Sequence, residues 1–139
     1  MVGTTVALIN WADYYSVKVK EMDEQHKKLI QLINDFYNAY QSGTTEEVPA
    51  LMEGVIKYTK VHFSREEKLI KQHGFPEYDS HKAEHDDFAK KAIAMNQKYI
   101  SGDKSIAGEM AVVLSNWLTN HIVINDKKYG VYLNSKGVT

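Results

Sequence analysis

The sequence predicts an all-α fold, an up-down-up-down four-helix bundle preceded by an N-terminal arm. Three observations carry that reading. Apolar residues recur at three- and four-residue steps through four long segments. The breaks between these segments are short and rich in turn formers: QSGTTEE at Gln41 to Glu47, HGFPE at His73 to Glu77 and SGD at Ser101 to Asp103. Finally, only 2 Pro and 8 Gly occur in 139 residues, which leaves room for long uninterrupted helices. Long amphipathic helices with short connections pack antiparallel to their neighbours.

The elements follow in order. Residues 1 to about 20 lack a long helical pattern and carry Trp11, Tyr14 and Tyr15, so they read as an arm lying on the core with Trp11 as a packed anchor. The first helix, about Met22 to Tyr40, presents His26, Leu29, Ile30, Ile33, Phe36 or Tyr37, and Tyr40 on one stripe. Ser42 and Gly43 break it, and Thr44 with Glu47 has the spacing of a capping box. The second helix runs from about Glu47 to His73, with Leu51, Val55, Tyr58, His62, Glu66 and Leu69 or Ile70 inward. Gly74 can end that helix and Pro76 can begin the next. The third, to about Ser101, carries Tyr78, His81, His85, Phe88, Ala92, Met95 and Tyr99 at nearly heptad spacing. The fourth carries Ile106, Met110, Val113, Trp117, His121 and Ile124 towards Tyr129. One domain spans residues 1–139, with the arm over about 1–20 and the bundle over about 21–130.

Composition removes several classes of function. Without cysteine there is no disulfide framework, thiolate metal site, iron–sulfur cluster or cysteine nucleophile. A net charge of -1 gives no basic footprint for nucleic acid or anionic lipid. No apolar run has the length of a signal peptide or membrane span, so the expectation is a cytoplasmic protein.

The chemistry sits in the histidines. In each helix a histidine replaces a hydrophobe on the stripe that faces the core: His26, His62, His81 with His85, and His121. His26 and the His81–His85 pair lie near helix starts, whereas His62 and His121 lie towards helix ends. In an antiparallel bundle these are one end, and a rise of 1.5 Å per residue puts them all roughly 6 to 16 Å inside it. A single such histidine is more often a hydrogen-bonded core residue; five in one layer call for metal, because buried imidazoles and carboxylates without partners are costly. Glu66 follows His62 by four residues and shares its face. Asp126 follows His121 by five, which on an α-helix turns it away from that histidine. Five histidines exceed one site that keeps an open position but divide well between two ions, with the carboxylates as bridges. His73, beside Gly74 at a helix end, reads as a cap rather than a ligand. Asp23, Glu24, Gln25, Asp86 and Asp87 read as solvated faces or helix starts.

Taken together, DEQHKKL at Asp23 to Leu29, HFxxEE at His62 to Glu67, GFP at Gly74 to Pro76, HKAEHDxF at His81 to Phe88 and NWLxNHIxxxDKxYG at Asn116 to Gly130 resemble the hemerythrin family, in particular its bacterial members, over about Trp11 to Gly130. The resemblance implies a non-haem di-iron centre with an oxo or hydroxo bridge that binds O2 reversibly. By motif, His81, His85 and His121 would hold one iron and His26 and His62 the other, with Glu66 and Asp126 between them. The iron with two histidines would keep the open position, where O2, azide or nitric oxide could sit. Leu29, Phe63, Trp117, Leu118 and Ile122 resemble the family's apolar O2 pocket, although core packing explains each of them as well. The expected role is an oxygen carrier, store or delivery protein, not an enzyme, with its protein partner unidentified. A start at Met1 and the lack of an output segment favour a free-standing protein over an O2 or redox sensor excised from a signalling chain. A di-iron peroxidase ranks lower, because no obvious acid, base or substrate cleft stands beyond the ligands. A zinc-stabilised bundle ranks lowest, because five histidines and two carboxylates are more ligands than it needs.

Overall fold

The computed structural model describes residues 7–44 and 46–139. Four helices and their continuation build the bundle: α1 Lys20–Ser42, α2 Val48–Gln72, α3 Tyr78–Ile100 and α4 Ile106–His121. A π-helical turn, Ile122–Asp126, leads from α4 into α5, Lys127–Ser135. Helix α1 packs on α2 and α4, and α3 packs on α2 and α4. That closed ring of neighbours is the up-down-up-down arrangement the sequence predicts. Among the described residues no helix is long and apolar enough to cross a membrane.

The helix ends explain how the hairpins close. At the end of α2 the chain turns left-handed at Gly74, φ 73°, a conformation that costs glycine little. The Gly74 and Phe75 amides reach back to the carbonyls of Lys71 and Ile70 at 3.0 and 2.9 Å, closing the last turn. His73 is the C-cap, and its Nδ1 lies 2.9 Å from the Leu69 carbonyl oxygen, in keeping with a capping role. Pro76 falls in the turn and α3 begins two residues after it. Helix α2 begins at Val48 with Pro49 in its first turn and no side-chain cap. The expected capping box of Thr44 with Glu47 is therefore not formed, and Thr45 within it lies outside the described residues.

The core is apolar along α1 to α4, with Phe36, Met52, Ile70 and Met110 all fully buried. The register of the inward stripes differs from expectation in three helices. Tyr40 is 37% exposed, although its ring lies over Gly108 of α4, where a β-carbon would come within 2.7 Å of it. On α2, Met52 and Thr59 are buried whereas Leu51 and Tyr58 only flank the core. On α4 the seam runs through Leu114 and Leu118 rather than Val113 and Trp117, and Ile124 is 59% exposed. The departures are local: Val55, His62 and Glu66 on α2 and Ile106, Met110 and His121 on α4 are buried as predicted. Leu51, Tyr58, Val113 and Trp117 each lie one residue from a buried neighbour, and the polarity of Thr59 and Ser115 disguises their burial.

The arm is built in, not merely laid on. Its first six residues lie outside the described residues, but Ile9, Val17 and Val19 are buried. Asn34 of α1 holds the Ile9 backbone from both sides, accepting from its amide at 3.0 Å and donating to its carbonyl at 2.8 Å. Asp23 accepts from the Val17 amide at 2.9 Å and the Ser16 hydroxyl at 2.6 Å, so it serves as an anchor rather than a solvated helix start. Trp11 packs against the core edge under Lys27, whose Nζ is 5.1 Å from the ring. The helical bundle also extends past residue 130: α5 reaches Ser135 and buries Leu133 completely.

Candidate metal centre

The helix ends deliver seven polar side chains to one layer near one end of the bundle. His26, His62, Glu66, His81, His85, His121 and Asp126 are all buried, each 4% exposed or less. Each comes from the stripe its helix turns inward. His62 and Glu66 stand one turn apart on α2, their Nε2 and Oε2 atoms 3.1 Å apart. The five-residue spacing of His121 and Asp126 is reconciled by the π turn between them. Its i→i+5 bonding stacks residues five apart, and His121 Nε2 lies 3.0 Å from Asp126 Oδ1.

The donors fall into two groups that share the carboxylates. Glu66 Oε1 lies 2.7 Å from His81 Nε2 and 3.1 Å from His85 Nε2. Its other oxygen, Oε2, lies 3.1 Å from His62 Nε2 and 3.5 Å from His26 Nε2. Asp126 divides in the same way, with Oδ1 3.2 Å from His81 and 3.0 Å from His121, and Oδ2 3.1 Å from His26. One set of possible ligand atoms belongs to Glu66, His81, His85, His121 and Asp126, the other to His26, His62 and Glu66.

Hydrogen bonding alone does not satisfy this layer. Among the described residues, His26 Nδ1, His26 Nε2 and Asp126 Oδ1 are buried without a hydrogen-bond partner, although His26 Nε2 is only 3.1 Å from Asp126 Oδ2. Their separation is short, but their alignment is not that of a hydrogen bond. His85 Nε2 and His121 Nε2 face each other at 3.1 Å, where at most one proton fits between them. Unpaired buried groups of this kind cost free energy that a cation removes. The nitrogen and oxygen donors fit non-haem iron as the bound metal.

In the metal-free chain the layer is strongly polarised. Burial pulls the His26 imidazole down, yet the Asp126 and Glu66 carboxylates outweigh it and lift it to about 9. His81 is lifted to about 10 against burial by the same two acids, and His85 rises against burial through Glu66 and Glu67. Burial prevails at His62, which is lowered. Burial also opposes ionisation of Glu66, but the surrounding histidines, His62 foremost, hold its carboxyl well below the usual range. Asp126 is lowered against burial and the Glu66 charge by His121 and His26.

A further ring of partners holds these ligands in place. Tyr129 is fully buried and donates its hydroxyl to Glu66 Oε2 at 2.8 Å. His62 Nδ1 lies 2.7 Å from Gln25 Oε1, His85 Nδ1 2.8 Å from Glu67 Oε2, and His121 Nδ1 3.2 Å from Glu84 Oε2. None of these roles is predicted from the sequence, where Gln25 falls on a solvated face. The available signal is spacing: Gln25 and Glu67 each adjoin a ligand, and Glu84 precedes His85. Asp86 is solvated, paired with Lys82 at 2.8 Å. Of the five residues expected to line an apolar pocket, Phe63 stacks on His85 with ring centroids 3.8 Å apart, and Trp117 stacks on His121 at 4.3 Å. Leu29, Leu118 and Ile122 are buried within one turn of His26 or His121.

Comparison with known proteins agrees with this geometry. The sequence model of the Hemerythrin HHE cation binding domain matches residues 17–133. A bacteriohemerythrin of Stenotrophomonas maltophilia is 32% identical over 124 residues, covering 89% of this chain and 80% of that protein. One from Methylococcus capsulatus is 28% identical over 131 residues, covering 94% of this chain and 100% of its own. A hemerythrin-like protein of Naegleria gruberi is 33% identical over 93% of this chain and 97% of that one. The crystal structure of wild-type hemerythrin superimposes with a TM-score of 0.85 at 28% identity, covering 89% of this chain and 96% of that chain. The bundle, the paired donor groups and these matches have one common explanation: the chain belongs to the hemerythrin family.

Proposed function

We propose that this protein binds O2 reversibly at a pair of non-haem iron ions and serves as an oxygen carrier, store or delivery protein rather than an enzyme. The observation that carries the reading is the division of each carboxylate between two histidine groups. Glu66 turns one oxygen to His81 and His85 and the other to His26 and His62. Asp126 turns one to His81 and His121 and the other to His26. A single ion would not use that pattern; two ions bridged by both carboxylates would. His81, His85 and His121 would then hold one iron, and His26 and His62 the other, whose shorter ligand set leaves a position open. When bound, the iron pair supplies two electrons that O2 can borrow and return.

The residues of the chain supply what makes such binding reversible. Buried Leu29, Phe63, Leu118 and Ile122, with Trp117 stacked on His121, exclude water and protons from the metal layer. Gln25 and Glu67 can accept at His62 Nδ1 and His85 Nδ1, which would fix the tautomer that leaves Nε2 free to bind a metal. Tyr129 keeps its proton, since burial, and next to it the Glu66 charge, push its hydroxyl well above the ordinary value, and it donates to Glu66 Oε2.

The test is anaerobic reconstitution with ferrous iron, iron analysis, and visible spectra before O2, after O2 and after its removal. Two irons per chain with an absorption band that appears and vanishes with O2 supports the reading. One metal or none refutes the paired centre. Two irons that oxidise without a reversible band refute the carrier role, and steady turnover of added peroxide in that case identifies a peroxidase.

A further inference from the structure

The imidazoles of the cluster differ in what stands behind them. A histidine that gives one ring nitrogen to a metal keeps a proton on the other, and the acceptor of that proton sets how much electron density the ring passes forward. His85 Nδ1 lies 2.8 Å from Glu67, a carboxylate only 15% exposed. His121 Nδ1 lies 3.2 Å from Glu84 Oε2, which also accepts from Asn125 Nδ2 at 2.6 Å. Asn125 Nδ2 is 3.2 Å from His121 Nδ1 as well. Two donors cannot share a bond, so with Nδ1 protonated the amide serves Glu84. Among the described residues the other histidine group has no anion behind it. His62 Nδ1 faces the neutral Gln25 amide oxygen at 2.7 Å, and His26 Nδ1 is buried without a partner.

We propose that Glu67 is a positioning residue that makes the two halves of the centre unequal: by drawing on the His85 Nδ1 proton, its carboxylate makes the three-histidine half the better host for the more oxidised ion. The inference rests on the paired-iron reading above. Glu67 carries most of the effect, because Glu84 is 47% exposed and screened by water. Lys82, with Nζ 3.9 Å from Glu67, is itself 43% exposed and offsets little of the charge. No bond to Glu67 is made or broken. The Nδ1 proton would stay on nitrogen when an external donor reduces a bound ion by one electron, so Glu67 would act by weighting ferric against ferrous.

Two substitutions of opposite sign test this. Glu67→Gln keeps the shape and removes the anion behind His85; Gln25→Glu adds an anion behind His62. In the iron-loaded full chain, reduction potentials are read spectroscopically against redox mediators under argon. Loss of such a partner is worth about tenfold in metal binding. A tenfold loss of ferric preference in Glu67→Gln raises the potential by about 59 mV per one-electron step, and Gln25→Glu lowers it. Glu67→Asp restores part of the wild-type value. Zinc affinity, which has no redox component, reports whether each variant still assembles its sites, and if Glu67→Gln does not fold, Gln25→Glu and Glu67→Asp carry the same comparison. Opposite shifts support the proposal. Shifts of the same sign, or unmoved potentials in chains that hold two irons, overturn it while leaving the paired-iron reading intact. A wild-type chain that takes up no iron overturns both.

Discussion

Gly130 tests how the arm and α5 together hold the metal layer. A β-carbon there would lie 2.3 Å from the Val17 carbonyl oxygen and 3.1 Å from Val17 Cβ. Contacts under 3.0 Å are essentially never seen, so Gly130→Ala must part α5 from the arm by at least 3.0 − 2.3 = 0.7 Å. The obstacle is backbone, and the arm is tied down: Asp23 holds Val17 and Ser16, and Asn34 holds Ile9. Helix α5 therefore yields, and with it Tyr129, whose 2.8 Å bond to Glu66 adjoins the substituted residue. Forced overpacking costs about 1–3 kcal/mol, and loosening a buried hydrogen bond adds about 1 kcal/mol. Helix propensity returns about 1 kcal/mol for replacing glycine by alanine. The net loss is about 2 kcal/mol, or about 8 °C in melting temperature for a domain of this size. Gly54 of α2 is the control, since no atom lies within 4 Å of its β-carbon position. Gly54→Ala should gain up to about 1 kcal/mol from propensity alone. Urea unfolding of both variants at equal free metal, so that the metal's own contribution cancels, gives the comparison. A Gly130→Ala chain as stable as the Gly54→Ala chain would refute the close approach.

Other perturbations reach the site directly. Leu118→Ala removes a side chain only 2% exposed, which should cost about 2–5 kcal/mol in stability and speed autoxidation by admitting water. An unchanged autoxidation rate together with an unchanged O2 release rate would count against a pocket role. Tyr129→Phe deletes the donor to Glu66 Oε2; metal affinity should fall about tenfold, and affinity equal to wild type in a competition titration would show the bond to be idle. The metal-free chain should lose stability as pH rises above neutrality. His26 and His81, lifted to about 9 and about 10 from an ordinary 6.5, bind protons more tightly when folded. Their stabilisation is complete below about 6.5 and disappears as pH passes through the folded values. Thermal melts of stripped protein between pH 7 and pH 10 measure it, and a flat profile contradicts the assignment.

How much of this is legible in the sequence depends on whether a residue's partner is local. The approximate helix spans, the five histidines and Glu66 follow from periodicity and from the end of each helix on which a histidine falls, both properties of single helices, whereas the spacing of Asp126 sets it out of phase and only the family resemblance includes it. Single stripe positions slip by one residue near the buried Thr59 and Ser115, because a small hydroxyl that bonds its own helix backbone, Val55 or Val112 here, looks polar in the sequence but packs as an apolar group. The partners of the imidazoles escape for a different reason. Gln25 meets His62 across 37 residues and Glu67 meets His85 across 18, and although each adjoins a ligand in the sequence, the periodicity of its own helix does not say which imidazole it meets. The 2.3 Å approach of Gly130 to Val17 is likewise a property of two segments.

Asp126 shows that an apparent misfit in spacing carries information. Five residues after His121, it would point about 140° away on a continuous α-helix. The α-helical period therefore sets the aspartate against the donor layer, while the chemistry of that layer requires a second carboxylate. Both conditions hold only if the helix widens between the two residues, and the π turn at Ile122–Asp126 does this. The same turn moves Ile124 out to the surface, where an uninterrupted stripe would place it inward. Misplacement of Ile124 and recovery of Asp126 are therefore a single event: an extra residue accommodated where the helix meets the metal site. π turns recur at functional sites because the backbone bonds they sacrifice are balanced by a side chain delivered where the α-helix could not put it. A polar residue one step out of phase beside an otherwise coherent ligand set is grounds for predicting such a turn, not for discarding the residue.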